Sequence, residues 1–269
     1  MARVLAVLRG KRRTRRFRRS VYLLPSMFTV GNLFCGYACI VYAMRDEYAT
    51  AAVFIGVATL LDVLDGFIAR LADAASEFGG EFDSLADVTS FGVAPAVLVF
   101  AWGLEPLGRL GWAVGFLYVT ATALRLARFN VQSGNQDKRY FVGMPSPAAA
   151  GVLASTVFAW PDGFGIPQAP LVALTMVLVP ALMMVSLVRF RSFGALTLSP
   201  RRSYLVLLQF AVLIAAIAVQ PELVLFVMAY SYLVSGPVGF VLGRMRRRTT
   251  RRGSGNGHGT AEPPTAQAG

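Results

Sequence analysis

Apolar residues fill this chain in eight long blocks with short polar punctuation between them, at about 23–44, 49–69, 82–103, 110–128, 145–160, 169–188, 204–220 and 222–242. Each approaches the roughly 20 residues that a helix needs to cross the hydrocarbon core of a bilayer. Two places are marginal. The 145–160 block is short, and the last two blocks are parted only by Gln220, Pro221 and Glu222. The pattern predicts an all-α, polytopic membrane helical bundle of about eight transmembrane helices.

The basic residues support that count. Cytoplasmic ends and loops of membrane proteins are enriched in Lys and Arg. If both termini are cytoplasmic, 24 of the 26 Lys and Arg residues fall inside, leaving only Arg45 and Arg109 outside. The pattern therefore predicts an even number of spans. It divides the chain into a basic cytoplasmic arm at 1–20, a transmembrane domain at 21–243, and a cytoplasmic tail at 244–269, basic at first and then disordered. The arm carries nine Lys and Arg. Its charges follow a short apolar piece instead of preceding it, and no small-residue cleavage site appears, so it does not read as a secretory signal.

Composition narrows the function classes. Hydrophobic residues make up 55% of the chain and charged residues 15%, against about 25% charged in an ordinary soluble domain. Mean hydropathy is +0.57. The formal net charge of +12 gathers at the termini and in short loops, which reads as membrane topology. No basic stretch is interleaved with aromatics as nucleic-acid binding would require, so nucleic acid is not an expected partner. Cys35 and Cys39 lie four apart within one apolar block and read as small packing residues. The single histidine, His258, lies in the Gly-rich tail. Catalysis must then proceed without a core imidazole, and acid–base work falls to carboxylates, lysine or tyrosine.

One stretch breaks the apolar pattern at a cost: LDVLDGFIARLADAASEFGGEFDSLADVTSFG. Asp62, Asp65, Gly66 and Ala69 fall at i, i+3, i+4 and i+7, on one face of the second helix. Asp83 and Asp87 are four apart on the third, with Gly79 four residues earlier. A short polar turn near 71–78 makes the two helices antiparallel and lets the aspartate faces meet below the cytoplasmic surface. Asp62 lies about 12 Å along its helix from Arg70. Four carboxylates in a low dielectric would repel and protonate unless a cation neutralised them. Hard divalent ions with oxygen ligands, Mg²⁺ or Mn²⁺, suit such a set, and two of them could clamp a pyrophosphate. Gly66, Ala69 and Gly79 leave a small-residue surface for close approach, and Arg70 can pair with phosphate. The same acids could instead form a proton or ion pathway, as in a cation-coupled transporter, although no internal repeat supports that. Interhelical salt bridges lack partners, because Arg70 is the one nearby base in this stretch.

The spacing Asp62-x2-Asp65-Gly66-x2-Ala69-Arg70-x8-Gly79-x3-Asp83-x3-Asp87 resembles the signature of the CDP-alcohol phosphatidyltransferases at all eight positions. The resemblance implies that Asp62, Asp65, Asp83 and Asp87 are metal ligands, with Asp87 also the general base. It implies that Gly66, Ala69, Arg70 and Gly79 hold the CDP group, joined by Ser76 in the turn. It further implies a homodimer whose active site faces the cytoplasm. Beyond the signature, LPSMFTVGNLFCG at 24–36, LRLARFN at 124–130 and VGMPSPAAAG at 142–151 resemble the integral-membrane phosphatidylserine synthases of that family. Ser26 stands where those often carry Asn. The implied reaction joins CDP-diacylglycerol and L-serine into phosphatidylserine and CMP. Another acceptor, glycerol 3-phosphate or inositol phosphate, would use the same chemistry.

These outer stretches carry polar side chains with two readings each. Thr29 and Asn32 on the first helix either recognise the base or ribose of the CDP group or tie helices together. Arg125 and Arg128, three apart on the fourth helix, either clamp the acceptor's carboxylate or phosphate or simply flank the membrane. Pro145, Ser146 and Pro147 start a helix, and proline at a first turn needs no ligand to explain it.

Overall fold

The computed structural model describes residues 26–72, 77–132, 140–191 and 203–253. The helices are α1 (Ser26–Ala43), α2 (Tyr48–Ala72), α3 (Glu77–Asp87), α4 (Ala94–Val99), α5 (Arg109–Gln132), α6 (Ser146–Ala159), α7 (Ala169–Val185), α8 (Ser203–Val219) and α9 (Pro221–Gly253). A π-helical turn at Val88–Val93 joins α3 to α4, and a second at Phe100–Leu104 extends the rod further. Each of the eight apolar blocks therefore contains a helix. The third block starts earlier than its apolar run, because α3 opens at Glu77, and the connection from Ala72 is shorter than the 71–78 turn expected. The arm at 1–20, Ser76, Lys138, Arg139, Arg201, Arg202 and the tail beyond Gly253 lie outside the described residues.

Among the described residues, five helices are long and apolar enough to cross a membrane: Ser26–Ala43, Tyr48–Ile68, Phe78–Leu107, Arg109–Val131 and Pro221–Phe240. Their outward faces are apolar, with Phe34, Phe67, Trp112 and Phe116 more than half exposed. In a water-soluble protein such a surface would be an aggregation hazard; against lipid it is the matched solvent. The short 145–160 block has a different explanation. Its helix, α6, is the centre of the bundle, packed against α2 and α9, with Ala149, Ala150, Val152 and Leu153 fully buried.

Small residues let these helices approach closely, which is how packing is gained where lipid removes the hydrophobic drive. Ala51, Ala52, Ile55 and Ala58 form the buried stripe of α2. On α1, a β-carbon added to Gly36 would collide with the backbone and hydroxyl of Ser90 in the π-helical turn. Cys35 and Cys39 are buried free thiols on α1 beside it, as their packing role predicts.

The all-α architecture holds, with one short strand pair beside the helices. Two three-residue strands, β1 (Tyr140–Val142) and β2 (Arg189–Arg191), pair antiparallel with Phe141 opposite Phe190. Gly143 follows β1 with φ +86° and packs on the Met184 carbonyl, a conformation that side chains disfavour. Phe190 is buried and its ring lies 5.6 Å from Tyr232 of α9. Helix α9 continues through the arginine-rich segment to Gly253.

Candidate active site

The site begins with a register. On α3, Asp83 and Asp87 lie one turn apart, and Asp62 comes to them from α2. One carboxylate oxygen from each of Asp62, Asp83 and Asp87 lies within 4.8 Å of the others. Asp87 is buried, and Asp62 and Asp83 are half-buried. Immediately after Asp87 the α-helical ladder gives way to the π-helical turn, in which the Ala94 N–H reaches back to the Thr89 carbonyl. Such turns insert a residue and re-aim a face, and they recur at functional sites. No periodicity in the sequence signals it.

Helix α1 holds this arrangement from the side. Asn32 Nδ2 donates to Asp87 Oδ1 at 3.2 Å, while the Asn32 carbonyl accepts from Ser90 Oγ at 2.9 Å. Asn32 thus clamps both ends of the first half of the π-helical turn. Thr29 Oγ1 donates to Asp65 Oδ2 at 2.5 Å. Both α1 side chains engage carboxylates rather than an open surface. Asp65, grouped with the other three by the sequence pattern, stands outside the close cluster and is held by Thr29 on the α1 side.

Helix α5 supplies the positive charge. Arg125 is half-buried and close enough to Asp87 and Asp62 for its charge to interact with theirs. The acids thus have a base in range from outside their own stretch of sequence. The sequence offers Arg125 as an acceptor residue but hides its nearness to the acids, because it lies more than 35 residues downstream of them. Its Nη1 donates to Ser146 Oγ at 2.5 Å, and it stands 5.8 Å from the centre of the Phe129 ring. Tyr232, on α9, lies within range of the same charge. Arg128 is half-buried one turn on. The backbone of Ala69 and Arg70 belongs to the last turns of α2. At Gly66 a β-carbon would meet nothing within 4 Å, so internal packing does not require glycine there and the space before it stays open. Gly79 lies one turn before Asp83 on α3.

The donor set fits a divalent cation. All the converging atoms are oxygens, the choice of hard ions. Asp83 Oδ1 and Asn32 Oδ1 are buried and accept no hydrogen bond among the described residues, an arrangement that costs free energy unless something electropositive faces them.

With that geometry set out, a family model for the CDP-alcohol phosphatidyltransferases matches residues 22–188. The chain belongs to this family. CDP-alcohol phosphatidyltransferases are metal-dependent, and the Asp62, Asp83 and Asp87 cluster is one that can bind a metal. The chain is similar to the CDP-diacylglycerol–serine O-phosphatidyltransferase of Helicobacter pylori, at 34% identity over 221 residues, covering 80% of this chain and 90% of the relative. The enzyme of the same name from Mycobacterium leprae is 34% identical over 230 residues, 82% of this chain and 76% of the relative. That from Bacillus subtilis is 35% identical over 137 residues, 51% of this chain and 76% of the relative. Membership in this family, together with the apolar helices, makes the chain a multi-pass membrane protein. The family match ends at 188, so Phe190 and Tyr232 lie beyond it, on elements for which the sequence offered no motif.

Proposed function

We propose that this phosphatidyltransferase moves the phosphatidyl group of CDP-diacylglycerol to L-serine, giving phosphatidylserine and CMP. The observation that carries the reading is the meeting of Asp62, Asp83 and Asp87 with oxygens within 4.8 Å, with the Arg125 charge in range of Asp62 and Asp87. The names of the relatives support serine as the acceptor.

In this reading Asp87 is the general base. Asn32 holds one of its oxygens, which sets the plane of the carboxylate. Asp87 takes the proton of the serine hydroxyl as its oxygen attacks the phosphorus beside the diacylglycerol. The bond from that phosphorus to the bridging oxygen breaks, and CMP leaves with the electron pair. Asp62, Asp65 and Asp83, with Asp87 as a further ligand, would hold two divalent ions, Mg²⁺ or Mn²⁺. When bound, these supply charge neutralisation for the pyrophosphate. Gly66, Ala69, Arg70, Ser76 and Gly79 form the surface for the CDP group, with Thr29 and Asn32 acting on it through the carboxylates they hold. Arg125 and Arg128 recognise the acceptor. The bundle has eight spans with both ends in the cytoplasm, the active site opens to that side, and the enzyme works as a homodimer.

The test is CMP release by purified protein given CDP-diacylglycerol and a panel of alcohols. Serine is expected to be the preferred acceptor. Faster turnover of glycerol 3-phosphate or inositol phosphate would overturn the acceptor and leave the metal and CDP assignments standing.

A further inference from the structure

Ser146 is a buried serine at the start of an Ala- and Val-rich helix, and the usual reason for a serine there is absent. Hydroxyl residues at helix starts normally cap the first turn from the N-cap position. Here Pro145 occupies the N-cap and no side-chain capping bond is made. Ser146 is 0% exposed, and its oxygen accepts from Arg125 Nη1 at 2.5 Å. Prolines on both sides restrict the local backbone, so the hydroxyl is offered from a stiff support.

Arginine needs such a support. Its long side chain has many rotamers, and the negative charges of Asp87 and Asp62 are within electrostatic range of it. Without an anchor the guanidinium would turn onto those carboxylates and be spent on them. A guanidinium carries five N–H donors in a planar fork. Holding Nη1 fixes the plane of that fork and still leaves enough donors for two parallel hydrogen bonds to a carboxylate. Phe129 lies 5.8 Å from the guanidinium carbon and limits its swing.

We propose that Ser146 is a positioning residue for acceptor recognition, locking Arg125 so that it presents its fork to the carboxylate of the amino-acid acceptor. This rests on serine being the acceptor. It assigns a role to a residue of the 142–151 stretch that lies outside the eight-position signature.

The test uses the purified full-length enzyme with CDP-diacylglycerol and a divalent cation, measuring CMP release against serine concentration. Ser146→Ala is expected to raise the KM for serine about tenfold, as loss of a charge-assisted hydrogen bond should, with kcat and the KM for CDP-diacylglycerol changed less than twofold. Ser146→Cys keeps the size with a weaker acceptor and is expected to fall between Ala and wild type, which keeps the inference testable if the Ala variant folds poorly. In an Arg125→Lys background, Ser146→Ala should add little. Ser155→Ala, removing a buried hydroxyl whose bond among the described residues is to the Val152 carbonyl within α6, should leave all three constants unchanged. An unchanged serine KM, equal rises in both KM values, or additive effects in the double variant would overturn the role of Ser146. Wild-type enzyme that does not turn over serine would instead overturn the acceptor reading, and this inference with it.

Discussion

Thr29 on α1 donates its hydroxyl to Asp65 on α2 across a buried contact of 2.5 Å, although 36 residues separate them in the chain. The bond ties the acid that stands outside the Asp62, Asp83 and Asp87 cluster to the neighbouring helix. Hydrogen bonds to charged groups contribute about 1.5–3 kcal/mol. Thr29→Val, which keeps the shape, is expected to weaken cation activation of CMP release about tenfold or more, and Thr29→Ser to retain most of it. A Mn²⁺ titration of each variant measures this. A wild-type midpoint in Thr29→Val would remove the bond from the site's function.

The cluster itself predicts a cation requirement. Three carboxylate oxygens this close cannot all stay ionised without one. Chelator is expected to abolish CMP release, with Mg²⁺ or Mn²⁺ restoring it. Asp62→Asn and Asp83→Asn should lose both cation binding and turnover. Asp87→Asn should lose turnover by about a hundredfold or more, as loss of a general base does, while keeping more of its affinity for the CDP-lipid. Near wild-type turnover in Asp87→Asn would remove the base assignment.

Gly36 gives a prediction about the fold. A side chain there would strike the backbone of Ser90, and Ser90 is joined to Asn32 at 2.9 Å. Overpacking of this kind costs about 1–3 kcal/mol. Gly36→Val is expected to lower the thermal midpoint of the purified protein and, by parting α1 from the π-helical turn, to lower kcat as well. Unchanged stability would mean that the helices can separate without loss.

Topology follows from charge. With 24 of 26 Lys and Arg residues assigned inside, reporters fused to the two ends are both expected to read cytoplasmic. An external carboxyl end would defeat the count of eight spans.

Much of the fold was legible because a bilayer imposes simple demands. A backbone in lipid must satisfy its own hydrogen bonds, so long apolar blocks become helices, and each of the eight blocks contains one. The four aspartates were legible for the same reason: an acid in lipid is costly enough to need a function. What the blocks could not tell was depth. The 145–160 block was short because α6 is the buried centre of the bundle, and apolar composition reads the same against lipid as against protein. The strand pair was missed because three residues per strand leave no period to detect.

The sequence alone therefore determined the helical membrane architecture, the eight-position signature and the chemistry those acids can carry, since each depends on local spacing or on the cost of charge in lipid. The tertiary structure decided which groups meet. It separated Asp65 from the close cluster, turned Thr29 and Asn32 toward carboxylates, set a π-helical turn behind Asp87, and brought Arg125, Ser146 and Tyr232 to the same region from α5, α6 and α9. Helical periodicity assigns residues to a face of one helix. Which faces oppose one another is fixed only when close-packed small residues such as Gly36 and Ala149 select the neighbours.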